Sequence, residues 1–202
     1  EASSLPLPSI RALTSGDVVV FKLPDDGLRG HQGEAALFVK RCIAGPGDRI
    51  VIRGGEVYVN NARLPAWTDV ESMENSGTDS VAVGPVMVPY AGQVVELNKE
   101  NAHRWETLIR REGHSFESSE SAELLVDGKP VSRYTIEKNY LFVLGDNRSH
   151  SIDSRSWGFL PEENVIGKAT LIYWSMNGSF GRHTLSDFFS AIRWGRIGKL
   201  IR

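Results

Sequence analysis

The chain has 202 residues, 41% of them hydrophobic and 24% charged, with a formal net charge of −2. That composition is globular and long enough for one substantial core with a small second lobe, and the near-neutral charge gives no electrostatic reason to expect a nucleic-acid partner. The single cysteine, Cys42, excludes an internal disulfide, the five histidines show no metal-ligand spacing, and no apolar run approaches the ~18 residues needed to span a bilayer.

In chain order, residues 1–15 read as a loop, with Pro6 and Pro8 among small polar residues. Residues 18–21 form a β-branched and aromatic strand that stops at Pro24. Residues 25–36 are Gly- and charge-rich and predict an exposed loop. A second strand covers 37–43. Gly45-Pro46-Gly47-Asp48 turns it into a hairpin of 49–52 and 57–59 through Arg53-Gly54-Gly55.

From about 65 to 130 the texture changes. Residues 66–80 are polar and weakly patterned. Residues 81–88 read as an edge strand because of Pro85, and 94–97 as a short strand. Residues 98–112 predict a helix, with Asn98 as N-cap, Gly113 as stop, and Ala102, Trp105, Leu108 and Ile109 on one face. Leu124-Leu125-Val126 with Asp127-Gly128 predicts a hairpin that returns at 134–136. A last strand is expected over 169–174. In the tail, Leu185, Phe188, Phe189 and Ile192 fall at helical spacing beside Arg193, Arg196, Lys199 and Arg202. Such a basic amphipathic helix either docks on its own core or lies on an anionic membrane surface. There is no internal repeat and no targeting segment at the start.

Two places carry candidate chemistry. The buried strand 140–144 delivers a polar loop, Gly145-Asp146-Asn147-Arg148-Ser149-His150-Ser151-Ile152-Asp153-Ser154-Arg155, before Trp157 and Phe159 return the chain to apolar packing. In the strand 37–43, alternation puts Lys40 on the face of Phe38 and Cys42. An amine among apolar neighbours loses its charged form more readily, so it can serve as a general base. On spacing alone, a lysine at a strand edge that reaches water is the favoured reading.

The loop resembles the most diagnostic box of the type I signal peptidases, G-D-N-R-x-x-S-x-D-S-R-x-W-G, and every fixed position is met. Gly16-Asp17-Val18-Val19-Val20-Phe21 resembles a second box of that family. Phe38-Val39-Lys40-Arg41-Cys42-Ile43-Ala44-Gly45-Pro46-Gly47-Asp48 resembles the box that carries the lysine. The intervening segments are similar to the longer, Bacteroidetes-type members. The resemblance implies a mainly β fold: a core of coiled antiparallel sheets over 1–60 and 130–181, a smaller inserted lobe with one helix over 61–129, and a short basic C-terminal helix over 182–202. It implies a Ser/Lys endopeptidase that removes signal peptides from exported preproteins, bound as an extended strand, with no cofactor and no metal. Lys40 is then the general base, Ser151 and Asp153 orient its amine, Arg155 holds Asp153, and Asp146 and Arg148 brace the loop. The protein would sit at the cytoplasmic membrane with its catalytic part on the extracytoplasmic side.

One feature of that family is not matched. The nucleophile box, S-M-x-P-T-L, should precede Gly16, and Ser9-Ile10-Arg11-Ala12-Leu13 lacks its Met, Pro and Thr. Ser9 is therefore a poor nucleophile candidate. The better alignment puts the serine and a membrane anchor upstream of Glu1, so this chain alone should be inactive. A homologue that only holds peptides or assists assembly is the alternative. The self-cleaving repressor-type proteases are a weaker rival, since no basic reader helix is present.

Overall fold

All five residues of the run Tyr140–Leu144 are buried, and the main sheet is built around it. The structure, a computed structural model, describes residues 13–23, 37–65, 82–118, 123–176 and 191–201. The first half gives β1 (Val18–Lys22), β2 (Leu37–Ala44), β3 (Arg49–Arg53), β4 (Glu56–Val59), β5 (Ala62–Arg63), β6 (Val83–Met87) and β7 (Val94–Glu96). After helix α1 (Ala102–Arg111) come β8 (Phe116–Ser118), β9 (Leu124–Val126), β10 (Lys129–Pro130), β11 (Arg133–Thr135) and β12 (Tyr140–Leu144). A single-turn helix α2 (Ser154–Trp157), β13 (Leu160–Pro161) and β14 (Val165–Lys168) follow. The fold is mainly β, and every strand ladder among the described residues is antiparallel.

The principal sheet has the order β13-β12-β2-β1-β14, and a second runs β5-β4-β3-β6. β12 is apolar at every position because both its faces are covered. Tyr140, Phe142 and Leu144 enter a large core with Ile43, Ile50, Ile109 and Ile136. Leu141 and Val143 enter a smaller one with Val19, Phe21, Cys42, Trp157 and Leu160. Each such side chain contributes about 1.5–3 kcal/mol by leaving water. Two cores meeting back to back on one strand fix where its C-terminal end, Gly145, emerges. The large core also takes Val95, Leu108, Phe116 and Leu124 from the 61–129 segment.

β6 lies at a sheet edge, as Pro85 requires. The helix is shorter than the spacing predicts. Asn98 accepts from the backbone N–H groups of Glu100 and Asn101, so it caps a preceding turn, and α1 starts after Asn101. Gly113, at φ 99°, ends it. The Asp127-Gly128 turn has φ 51° and 72°, which suits a two-residue hairpin. It returns at once through β10, while β11 pairs with β7 instead.

The last strand also lies elsewhere than expected. β1 takes 165–168 as its edge partner, and the Lys168 amine meets Asp17 there. Residues 170–176 run as a ribbon against the tail, through bridges Leu171↔Leu200 and Met176↔Ile192. Tyr173 is 85% exposed, so an apolar composition does not mean burial. The described tail residues 191–201 hold a 3-10 turn, Trp194–Arg196. Leu185, Phe188 and Phe189 lie outside the described residues, as does Ser9.

Candidate active site

β2 presents two consecutive cations, and the loop after β12 engages both. Lys40 is half-buried. Its Nζ donates to Ser151 Oγ at 2.7 Å, across 111 residues of sequence. Burial lowers the Lys40 pKa; Asp153 pulls it back up and Arg155 pushes it further down. The amine therefore sits beside a carboxylate whose field is opposed by a guanidinium.

Asp153 is 0% exposed. Arg155 grips it bidentately, Nε to Oδ1 and Nη2 to Oδ2 both at 2.9 Å. The Gly145 N–H donates to Oδ2 at 3.0 Å, and Asp153 also caps α2 by accepting from the Arg155 N–H. Burial raises the Asp153 pKa, but these donors outweigh it and hold the carboxyl below its ordinary value. Arg155 Nη2 reaches back to the Arg148 carbonyl at 2.5 Å, so Arg148 braces the loop through its backbone.

Gly145 is where the loop leaves β12, and here a side chain is impossible. A Cβ would lie 2.0 Å from Ser151 Oγ and 3.4 Å from Lys40 Nζ. The serine hydroxyl packs directly on the glycine backbone, and that contact seats it on the amine.

The structure thus brings Lys40, Ser151, Asp153 and Arg155 together. It also adds three residues that spacing did not reveal. Arg41 is buried and forks onto Asp146, Nε to Oδ1 at 2.8 Å and Nη2 to Oδ2 at 2.7 Å, while Nη1 donates to the Gly16 carbonyl at 2.7 Å. The available signal was an arginine inside an apolar strand, which must find a partner. Ser154 Oγ accepts from the Val143 N–H at 3.0 Å, fixing the loop to β12. Gly145 is the third. Burial pushes the Cys42 thiol up to about 12, with Asp17 adding to the effect, so it is inert as a nucleophile.

No group of three metal-ligating side chains occurs among the described residues, and no helix among them is long and apolar enough to cross a membrane.

The β scaffold sets a half-buried lysine against a serine and a clamped aspartate. The model of the signal peptidase, peptidase S26 family matches residues 5–174, and the chain belongs to that family. The signal peptidase I of Haemophilus influenzae is 46% identical over 206 residues, covering 88% of this chain and 56% of its own length. That of Aquifex aeolicus is 31% identical over 79% of this chain and 62% of its own. A Buchnera aphidicola signal peptidase I is 26% identical over 92% and 60%. The chain thus spans about three-fifths of the length of these curated relatives. A solved signal peptidase I from Enterococcus faecalis is matched at 20% identity and a TM-score of 0.39, over 80% of this chain and all of that one.

Proposed function

We propose that the complete protein is a serine endopeptidase that removes signal peptides from exported preproteins, with Lys40 as general base. The Lys40 amine, half-buried and 2.7 Å from Ser151 Oγ, carries this reading. Neutral, it takes a proton from a nucleophilic serine hydroxyl, and the serine oxygen attacks the scissile carbonyl. The resulting ammonium gives that proton to the departing amine. Water then enters the same cycle and releases the acyl group. Ser151, Asp153 and Arg155 keep the amine oriented throughout.

β2 pairs with β1 along 37–41 and with β12 only along 41–44. Its other side over 37–40 has no strand partner among the described residues. An extended peptide added there runs straight to Lys40, with main-chain bonds supplying affinity.

The hydroxyl that Lys40 activates comes, in this proposal, from a segment outside the described residues. A second reading is favoured by distance alone: Ser151 is the serine nearest the amine. Its packing on Gly145 argues against it, because that side of the oxygen has no room for a carbonyl carbon. Acylating the complete protein with a serine-directed phosphonate and sequencing the labelled peptide tests both. A label upstream of Leu13 supports the proposal, a label on Ser151 replaces it with the second reading, and no label in a turnover-free protein supports the peptide-holding alternative.

The proposed site of action is the extracytoplasmic face of the cytoplasmic membrane, with an anchor ahead of Glu1. The ribbon of 170–176 and 191–201 supports a membrane contact. Tyr173, Trp194 and Leu200 stand out from it, with Trp194 62% and Leu200 67% exposed, beside Arg193, Arg196 and Lys199. Exposed aromatics flanked by cations suit the interface of an anionic bilayer. Binding of the chain to anionic vesicles, lost on Trp194→Ala with Tyr173→Ala, is the expected result.

A further inference from the structure

Arg111 and Glu112 end helix α1, far in sequence from the catalytic loop, yet they hold both of its flanks. Ahead of the loop, Glu112 is buried and its Oε1 accepts from Tyr140 Oη at 2.9 Å and from the N–H groups of Glu137 and Lys138 at 3.1 Å each. Its Oε2 accepts from Tyr134 Oη. Lys138 Nζ donates back to the Arg111 carbonyl at 3.3 Å. Behind the loop, Arg111 donates from Nη2 to the Trp157 carbonyl at 2.9 Å and from Nη1 to the Phe159 carbonyl at 2.7 Å. We propose that Arg111 and Glu112 are positioning residues for the peptidase reaction, setting the spacing between β12 and α2 and hence the pose of Ser151 and Asp153 on Lys40. This rests on the reading of Lys40 as the base.

Three observations make the joint more than a packing contact. α2 is one turn long and cannot hold its own orientation. Its first residue follows Asp153, and its Ser156 and Trp157 N–H groups donate to the Asp153 carbonyl, so a shift at Trp157 is passed to the aspartate. Packing between α1 and 156–159 is incomplete: an open cavity of about 390 Å³ lies there, lined by Arg104, Leu108, Tyr140, Trp157 and Phe159. With side chains not interlocked, the bonds from Arg111 and Glu112 set the alignment.

The test is the pH profile of kcat/KM in the complete protein. Wild type should show an acid limb that disappears with Lys40→Ala activity. Arg111→Met should lower kcat about ten- to a hundredfold with little change in KM, since a misplacement of about 1 Å is enough for that. Its acid limb should move up toward the ordinary lysine range as Lys40 loses its fixed surroundings, and Arg111→Lys should recover part of both. Arg110→Met is the control. It removes the Glu106 ion pair and the bond to the Phe116 carbonyl on the same turn, so it should cost stability and leave the limb in place. If Arg111→Met does not fold, Glu112→Gln, which keeps the side-chain shape, should shift the limb in the same direction. A limb unmoved by Arg111→Met or Glu112→Gln, or moved equally by Arg110→Met, overturns the positioning role. Turnover that survives Lys40→Ala overturns the base assignment instead.

Discussion

Two buried carboxylates organise two regions of this molecule in opposite ways. Asp153, in the loop after β12, is met by a guanidinium fork with a lysine amine in reach. Glu112, at the end of α1, is met by two tyrosine hydroxyls and two backbone N–H groups. The first region balances its charge with a cation and leaves a titratable amine beside it. The second satisfies its carboxylate with neutral donors, and there the Tyr134 and Tyr140 phenols lie far above their usual range, pushed up by burial first and by Glu112 next. In the proposed mechanism the two carboxylates are distinguished by what their partners can do with a proton, since both are equally well bonded.

Breaking the first region should cost most. Gly145→Ala forces a methyl into the space of Ser151 Oγ. The expected result is loss of at least about a hundredfold in kcat of the complete protein, read by cleavage of a preprotein, with secondary structure retained by circular dichroism. Asp153→Ala leaves Arg155, whose side chain is only 16% exposed, without its anion. That should cost about 3–5 kcal/mol in denaturant unfolding. Glu112→Gln in the second region should cost less, about 1–3 kcal/mol, because no cation is stranded. A Glu112→Gln cost equal to that of Asp153→Ala would erase the distinction between the two regions.

The same contrast appears against pH. The folded Asp153 pKa lies below the ordinary 3.8. Its stabilisation is complete above that value and disappears as pH falls through the folded pKa. The folded Lys40 pKa is also depressed, from 10.5, so the unfolded chain binds more protons between the two values. Stability from this group therefore rises as pH climbs from the lowered pKa toward 10.5. Lys40→Met should flatten that rise in unfolding experiments at alkaline pH, and Asp153→Asn should flatten the loss in acid. The smallest effect should come from the surface: Tyr173→Ala is expected to change stability by under about 0.5 kcal/mol while reducing vesicle binding.

Much of the first region was legible in the sequence. β-branched and aromatic runs mark β1, β2 and β12, and the polar stretch at 145–155 between apolar anchors marks the loop. The placing of Ser151 near Lys40 came only from the family resemblance and the Arg41–Asp146 pair from neither source, because Lys40 and Ser151 are 111 residues apart and Arg41 and Asp146 are 105 apart. Local pattern carries no information about such pairings. Arg41 was hidden for a further reason: alternation assigns a residue to a face and says nothing of a guanidinium that folds back to a loop. The second region was less legible still. The period of α1 showed its apolar face at Leu108 and Ile109, but Arg111 and Glu112 read as ordinary charged residues at a helix end. The strand expected over 169–174 failed because an exposed aromatic ribbon has the same composition as a buried strand.

The proposed peptidase chemistry requires a Lys40 amine that is uncharged when it meets the serine hydroxyl. Carbon-13 labelling at lysine Cε, with Lys40 assigned by its loss in Lys40→Met, follows that one group through a pH titration. A Lys40 midpoint clearly below 10.5 is the predicted result. A midpoint at the value of the exposed lysines would contradict it, and the proposed peptidase chemistry with it.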